Sequence, residues 1–327
     1  MLEAVNVLND TINESQFLSS VLEKRYQTLF KEEYNLFLEA LTQPFPISAR
    51  VNTLKSDINE IKKIWNERGW KWKPVPFCSV GFILEIADEP INWRSVPEFV
   101  EGKVFPQGIP SMIPPLALDV ELEPDLHVLD MCAAPGGKTT FIAELMQNSG
   151  VILANEISER RTSILRSNCY RMGVLNTLFT QMNATLLPST LQFDRILLDA
   201  PCTSSGLMRN YNTHKKKWSY NRLRSLRKRQ RRLLNRAIEL LKPGGILVYS
   251  TCSIEPEENE FMVQFALEEH SNVELEEIPM SKNFKSRRGL AGWKGKTFST
   301  ELKKTMRIYP QDEGTEGFFI ARIRKYD

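Results

Sequence analysis

The chain has 327 residues, of which 42% are hydrophobic and 25% charged, and a formal net charge of +3. This is the composition of a soluble globular protein with enough length for two domains, and it excludes a disordered or fibrous chain. No run of about eighteen apolar residues occurs, so a membrane span is not expected, and the N-terminus, with Glu3, Asp10 and Glu14, reads as carrying no signal peptide.

Residues 15–42 place Leu18, Leu22, Tyr26, Leu29, Phe30, Tyr34, Phe37 and Leu41 at helical spacing. They predict one long amphipathic helix, stopped by Pro44 and Pro46. A strand over 49–54, a short helix around Ile58, Ile61, Ile64 and Trp65 closed by Gly69, and a strand over 82–86 follow. They predict a small α/β module of RNA-recognition type, without that fold's aromatic strand signature. Trp70, Trp72 and Trp93 are read as packing residues rather than base-stacking ones. A proline-rich connection over 105–115 separates this unit, residues 1–110, from a second one, residues 111–327. There, strands over 126–131, 151–155, 177–181, 194–199 and 245–250 alternate with helices over 138–147, 158–172, 222–241 and 256–268. The alternation predicts a doubly wound, mostly parallel sheet, closed at its edge by strands over 307–309 and 318–324.

The turn after the strand at 126–131 is Cys132-Ala133-Ala134-Pro135-Gly136-Gly137-Lys138. Small residues between a buried strand and a helix start let backbone N–H groups approach a nucleotide-like ligand. A P-loop would need glycine where Cys132 stands, and no G-x-G-x-x-G is present. The turn therefore suits a nucleoside without a phosphate, such as S-adenosylmethionine. Glu156, at the end of the next strand, is placed to accept from ribose hydroxyls, although it also stands where it caps the following helix.

Five scattered cysteines (Cys78, Cys132, Cys169, Cys202 and Cys252) form no disulfide framework and point to a reducing cytoplasm. With no C-x-x-C and three histidines, no metal site is expected. Doubly wound topology brings Asp199, Cys202 and Cys252 to one crevice beside the turn. Two thiols beside a methyl donor suit pyrimidine C5 chemistry, because a thiolate adding to C6 turns a poor carbon nucleophile into an enamine. Lys138 is the nearby cation that favours the thiolate, and Asp199 is suited to the cytosine N3/N4 edge. Cys132 is the least suited of the three crevice thiols to do chemistry. Spacing does not say which of the other two is the nucleophile.

Charge is unevenly distributed. Twelve Lys/Arg and no Asp/Glu fall within residues 209–236. There Arg222, Arg224, Arg227, Lys228, Arg229, Arg231, Arg232 and Arg236 surround an apolar helix face. A single-sign run of this kind fits a polyanion better than water. A second basic patch spans residues 282–296.

The stretches Arg50-Val51-Asn52-Thr53, 130–138, 198–206, 250–259 and Gly317-Phe318-Phe319-Ile320-Ala321 together resemble the RNA cytosine-5 methyltransferases of the Nop/Sun family. The resemblance covers nearly the whole chain. It implies a class I methyltransferase fold with a Rossmann-like seven-stranded sheet, preceded by a smaller α/β domain with a long helix. It implies S-adenosylmethionine as cofactor, with Cys132–Lys138, Glu156 and Asp199 lining its site and Arg161 bordering it. It also implies Cys252 as nucleophile and Cys202 as the release-assisting thiol. Where family members often carry Asp, Asn183 stands, and its carbonyl oxygen is expected to accept from the adenine amine. The expected partner is structured RNA, tRNA before rRNA, held by the basic helix and the N-terminal module of a monomer. The competing readings are a DNA cytosine-5 methyltransferase, with Cys202 as nucleophile, and a non-catalytic RNA-binding assembly factor.

Overall fold

A computed structural model describes residues 18–86, 91–121, 125–209, 218–279 and 283–326. Residues 15–17 of the first expected helix, and Lys215, Lys216, Lys217 and Lys282 of the basic stretches, lie outside the described residues.

The expected single N-terminal helix is two: α1 (Ser20–Phe30) and α2 (Tyr34–Thr42), joined by a 3-10 turn over Lys31–Glu33. Phe30 and Phe37 explain the break. Seven residues along one helix would separate them by about 10 Å, yet their rings stack with centroids 4.2 Å apart. Tyr26 packs on Phe37, and Tyr309 on Phe30, at 5.3 and 5.0 Å. Folding the chain back buries four rings in one cluster, and Lys31 takes a positive φ of 51° to allow it. No glycine or proline marks the place, so periodicity alone could not reveal it.

The small module is a four-stranded sheet of β1 (Ile47–Val51), β2 (Lys71–Val75), β3 (Cys78–Glu85) and β4 (Val104–Pro106), in the order β2-β3-β1-β4. Helix α3 (Ile58–Glu67) packs on it through Ile61 and Trp65, and Gly69 closes α3 at φ +79°. The sequence reading missed β2 and β4. Both are edge strands: β2 is mostly exposed and contains Pro74, and β4 is three residues long, so neither carries a two-faced apolar pattern. Trp70, Trp72 and Trp93 are half-buried and pack edge-on, Trp70 against Trp93 and Trp72 against Phe82.

After two short helices, α4 (Pro97–Val100) and α5 (Ile113–Ala117), comes the large sheet. Its parallel part is β5 (His127–Asp130), β6 (Val151–Asn155), β7 (Thr177–Thr180), β8 (Phe193–Asp199) and β9 (Leu241–Thr251). Helices α6 (Gly137–Leu145), α7 (Glu159–Met172), α8 (Tyr220–Leu240) and α9 (Glu260–Glu269) cover it. The strand order is β7-β6-β5-β8-β9, with parallel pairing throughout. The order reverses at β5, and a crevice opens there at the carboxyl ends. The four remaining strands of the sheet region are β10 (Val273–Glu276), β11 (Arg287–Arg288), β14 (Met306–Ile308) and β15 (Phe318–Lys325), while β12 (Gly292–Trp293) and β13 (Lys296–Thr297) form a separate hairpin. Strand β15 lies antiparallel between β9 and β14. This completes the seven expected strands, and the short β10 and β11 extend the sheet to nine. The helix expected over 256–268 begins later. Asn259, at φ −114° and ψ −96°, separates a 3-10 turn over Pro256–Glu258 from α9.

Apolar packing and polar contacts seat the N-terminal part on the large sheet. Helices α1 and α2 share an apolar cluster with Met208, Ile254 and Tyr309 rather than with the small sheet. From β1, the fully buried Arg50 crosses to α6, pairs with Glu144, bonds Thr140 Oγ1 at 3.0 Å and lies over the Phe141 ring. Asn52 bonds the carbonyls of Gly102 and Met172. The Arg50–Thr53 stretch thus ties the module to the helix that follows the glycine turn.

Candidate active site

The crevice is built from the ends of β5, β6, β8 and β9. At the end of β5 the chain turns through Ala133 to Gly137. Gly136 has φ +106°, a backbone conformation that favours glycine, and a Cβ there would lie 3.1 Å from Leu165 Cδ1. Lys138, in the first turn of α6, places Nζ 2.7 Å from Asp199 Oδ2, and Ser250 Oγ donates to Asp199 Oδ1 at 2.9 Å. The pairing of β8 with β9, Asp199 opposite Ser250, brings these residues together. Burial opposes the Lys138 charge, but the Asp199 carboxylate outweighs it and holds the ammonium above its ordinary range.

Beyond this pair lie the thiols. Cys202 Sγ and Cys252 Sγ are 3.3 Å apart, and Cys252 Sγ is 3.5 Å from Ser204 Oγ. The two cysteines are not equivalent. The bond from Cys202 lowers Cys252 below the ordinary thiol range against the effect of burial, with Ser204 and Lys138 helping. Cys202 is pushed well above that range by its bond to Cys252, by burial and by the nearby charge of Glu258. Cys132 is pushed up to about 12, by burial first and Asp130 next, and stays a neutral thiol.

A cavity of about 430 Å³ runs from Glu156 and Arg161 past Cys132, Ala134 and Asp199 to Cys202 and Cys252. A smaller one of about 160 Å³ adjoins it, lined by Ala133, Ala134, Pro135, Gly137, Lys138 and Asp130, with Phe105 to Gly108 as its outer wall. Glu156 caps the start of α7 and also lines the cavity. Its Oε1 accepts from the Ser158 N–H at 3.0 Å at the start of α7, and its Oε2 pairs with Arg161 at 2.9 Å beside the cavity. Arg161 also donates to the Ala134 carbonyl at 2.6 Å, linking Glu156 to the glycine turn.

Asn183 departs from expectation. It is exposed, it lines neither cavity, and its carbonyl oxygen already accepts from the Thr185 N–H and hydroxyl at 3.2 and 3.0 Å. A short side chain at a helix start bonds its own backbone two residues on. Met182 and Ala184 line the cavity in its place.

Helix α8 forms one wall. Arg222, Leu226, Arg229 and Leu233, spaced four, three and four residues apart, line the larger cavity. The rest of its charge divides in two. Arg227 lies over Phe261, Arg231 over Phe265, and Arg236 donates to the Leu187 carbonyl, so these three hold the helix to the protein. Arg224, Lys228 and Arg232 are exposed. The second basic patch is largely paired: Arg287 with Glu33 and Asp312, Arg288 with Glu277 and Lys296 with Glu268.

Residues 117–324 match the family of the 16S rRNA methyltransferase RsmB/F, and residues 18–108 match the N-terminal domain of the 16S rRNA methyltransferase RsmF. The chain belongs to the RsmB/F family. It is 38% identical to the tRNA (cytosine(49)-C(5))-methyltransferase of Pyrococcus abyssi over 97% of this chain and 99% of that one. It is 36% identical to the ribosomal RNA small subunit methyltransferase F of Shewanella amazonensis, spanning 64% of it, and 38% identical to the 28S rRNA (cytosine-C(5))-methyltransferase of Mus musculus, spanning 36%. Among solved structures, a methyltransferase homolog protein from Pyrococcus horikoshii superposes with a TM-score of 0.83 at 40% identity, covering 96% of this chain and 98% of that one. NSun6 from the same organism, solved with SFG, gives 0.82 at 27% identity, covering 96% and 100%.

Sequence reasoning passed over three residues of this RsmB/F-family site. Asn155, at the end of β6, bonds the Met131 and Met182 carbonyls and accepts from the Met182 N–H, bracing three strand ends around the cavity. Asp130 accepts from Thr139 at 2.7 Å, while its Oδ1 is buried without a partner; burial lifts it to about 7. Glu258 bonds the segments that carry both thiols. Acidic or amide residues at strand ends were the available signal for the first two. Glu258 stood inside an expected helix and gave none.

Proposed function

We propose that this chain transfers a methyl group from S-adenosylmethionine to C5 of a cytosine in structured RNA, through a covalent cysteine–C6 adduct. The carrying observation is the polarised thiol pair, Cys202 and Cys252 3.3 Å apart beside the Lys138–Asp199 pair. The donor supplies a methyl group on a sulfonium. The glycine turn, Glu156 and Arg161 suit its nucleoside part, and the unpartnered Asp130 Oδ1 in the smaller cavity suits its ammonium group.

Cys252, the thiol already biased toward ionisation, adds to C6 and forms a C–S bond. Asp199, anchored by Lys138 and Ser250, takes the N3/N4 edge and stabilises the ring as the adduct forms. C5 then carries the electron density that would take up the methyl group, the methyl–sulfur bond breaking with its electron pair left on a neutral thioether. Loss of the C5 proton to a solvent water re-forms the C5–C6 double bond as the C6–S bond breaks and its electrons return to Cys252. Cys202, in contact with that sulfur, is placed to assist release. The same polarisation argues against the DNA-type reading, which needs the thiolate on Cys202. The target base leaves its stack to reach the cavity, at a cost of roughly a few kcal/mol.

The RNA lies along α8, whose inner stripe lines the cavity and whose Arg224, Lys228 and Arg232 face outward, with the N-terminal unit of residues 1–110 beside the catalytic unit of 111–327. Reversing Arg224, Lys228 and Arg232 to Glu is expected to weaken RNA binding and reduce the slope of log affinity against log salt by roughly 0.7–0.9 for each phosphate no longer neutralised. Filter binding across a salt series checks this; unchanged binding would remove α8 from the interface. Arg227 and Arg231 are poor choices for that test because their loss also unseats the helix from Phe261 and Phe265.

Transfer RNA is the first substrate, because the match to the Pyrococcus abyssi tRNA enzyme runs the full length of both chains. All five cysteines are free thiols, in keeping with a reducing cytoplasm. Purified protein with methyl-labelled donor and separated tRNA and rRNA, followed by bisulfite sequencing, tests the reading. Label in rRNA alone would reassign the substrate, and label in neither would leave an RNA-binding scaffold.

A further inference from the structure

We infer that Glu258 is a positioning residue that helps set which thiol of the pair ionises, by gripping both cysteine loops and accepting from the backbone N–H next to Cys202. This rests on the methyl-transfer reading, in which Cys252 supplies the thiolate.

Glu258 is fully buried at the end of the 3-10 turn that follows Cys252. Its carboxylate accepts from the Thr203 N–H at 3.0 and 3.2 Å, the Thr203 hydroxyl at 2.5 Å, the Ser253 hydroxyl at 2.6 Å and the Gln230 amide at 3.1 Å. Thr203 follows Cys202 and Ser253 follows Cys252, so one carboxylate holds both thiol-bearing segments. Gln230 comes from α8 and also donates to the Pro201 carbonyl at 2.9 Å. The RNA-facing helix is thereby bonded to the same point.

The four donors are a backbone N–H, two hydroxyls and an amide, all neutral, so they satisfy the carboxylate without cancelling its charge. The titratable groups facing it are Glu255 on its own turn, Cys202 on the β8 loop, Tyr249 on β9 and Arg227 on α8. Glu255 is paired with Arg25 from α1. Cys202 is lifted first by its bond to Cys252, then by burial and the Cys252 charge, and after these by the charge of Glu258, whereas Cys252 is eased by Cys202, Ser204 and Lys138. Hydrogen bonding sets the thiols in contact, and an unbalanced buried charge on one side breaks their symmetry.

Burial raises Glu258 to about 7, so its charge changes near neutral pH. Above that value the carboxylate is ionised and the bias toward a Cys252 thiolate is complete. Below it the charge is lost, and the Cys202 share of the thiolate rises.

The test is alkylation with limiting iodoacetamide in the absence of RNA and donor, with the two cysteines quantified by peptide mass spectrometry. In the unmodified protein the Cys202:Cys252 labelling ratio is expected to rise as pH falls from about 8 to about 6, by roughly tenfold if the charge is worth one pKa unit. In Glu258→Gln, which keeps the shape but removes the charge, the ratio is expected to be high and flat across that range. Methyl transfer by the variant is expected to lose kcat and keep KM for RNA. A wild-type ratio that does not vary with pH would overturn the proposal even if the variant fails to fold. So would a folded Glu258→Gln that reproduces the wild-type profile. Because labelling needs neither RNA nor donor, a pH-dependent ratio in a protein that methylates no RNA would uphold the thiol bias and sink the methyl-transfer reading.

Discussion

Cys252→Ser is expected to abolish methyl transfer, and Cys202→Ala to trap RNA on the protein. A serine hydroxyl in the same place keeps the shape but loses the easily ionised, strongly nucleophilic sulfur on which covalent addition to C6 depends. The loss should reach about ten-thousandfold or more, the scale on which removal of a nucleophile acts in other covalent enzymes. Cys202→Ala leaves addition possible but removes the neighbour 3.3 Å away that is placed to help the C6–S bond break. Adduct should then accumulate as a slow-migrating band on denaturing gels, absent from Cys252→Ser. The swapped result, with adduct in Cys252→Ser and full loss in Cys202→Ala, would move the nucleophile to Cys202 and restore the DNA-type arrangement.

Gly206→Ala is expected to lower turnover by at least about a hundredfold while the protein stays folded. Gly206 lies where the Cys202 loop, the Cys252 loop and the start of β15 meet. Its N–H donates to the Cys252 carbonyl, and its own carbonyl accepts from the Gly317 N–H, both at 2.9 Å. A Cβ there would sit 1.9 Å from the Gly317 carbonyl oxygen and 2.9 Å from that of Cys252. Both obstacles are backbone, so no side chain can swing aside, and the thiol loops must separate. Overpacking of this kind costs roughly 1–3 kcal/mol, which denaturant titration will register. The larger effect is on geometry, since a displacement of about 1 Å at reacting groups costs about a hundredfold. Wild-type turnover in Gly206→Ala would mean that the contact between these loops has no part in placing the thiols.

How far the sequence could be read depended on whether a residue's role was written in its own neighbourhood. The strand at 151–155, the helix at 159–172 and the glycine turn were legible because apolar period and small residues act locally. The convergence of Asp199, Cys202 and Cys252 was legible because parallel topology places strand ends on one edge, and the Asp199–Ser250 register bears this out. The break at Lys31 was not legible, because aromatic packing between turns and against Tyr309 overrides helical period. Strands β2 and β4 escaped as exposed or very short edges. The charge of α8 was visible, but not that Arg227, Arg231 and Arg236 serve the helix's own seat against Phe261, Phe265 and the Leu187 carbonyl. Asn183 was read by analogy of position, and a local hydrogen bond to Thr185 governs it instead.

By itself, then, the sequence determined the sheet's parallel half, the glycine turn around Gly136, the residue types at the crevice and the single-sign charge of the helix beside it. Each follows from periodicity, from backbone freedom or from the chemistry of single side chains. Only the tertiary structure decided how the site is polarised. Which thiol ionises depends on a sulfur 3.3 Å away, on burial and on the charge of Glu258, which bonds both loops. The two sulfurs in contact stand 50 residues apart along the chain. Electrostatics inside a protein is set by what lies within a few ångströms in space, and no pattern along the chain records that distance.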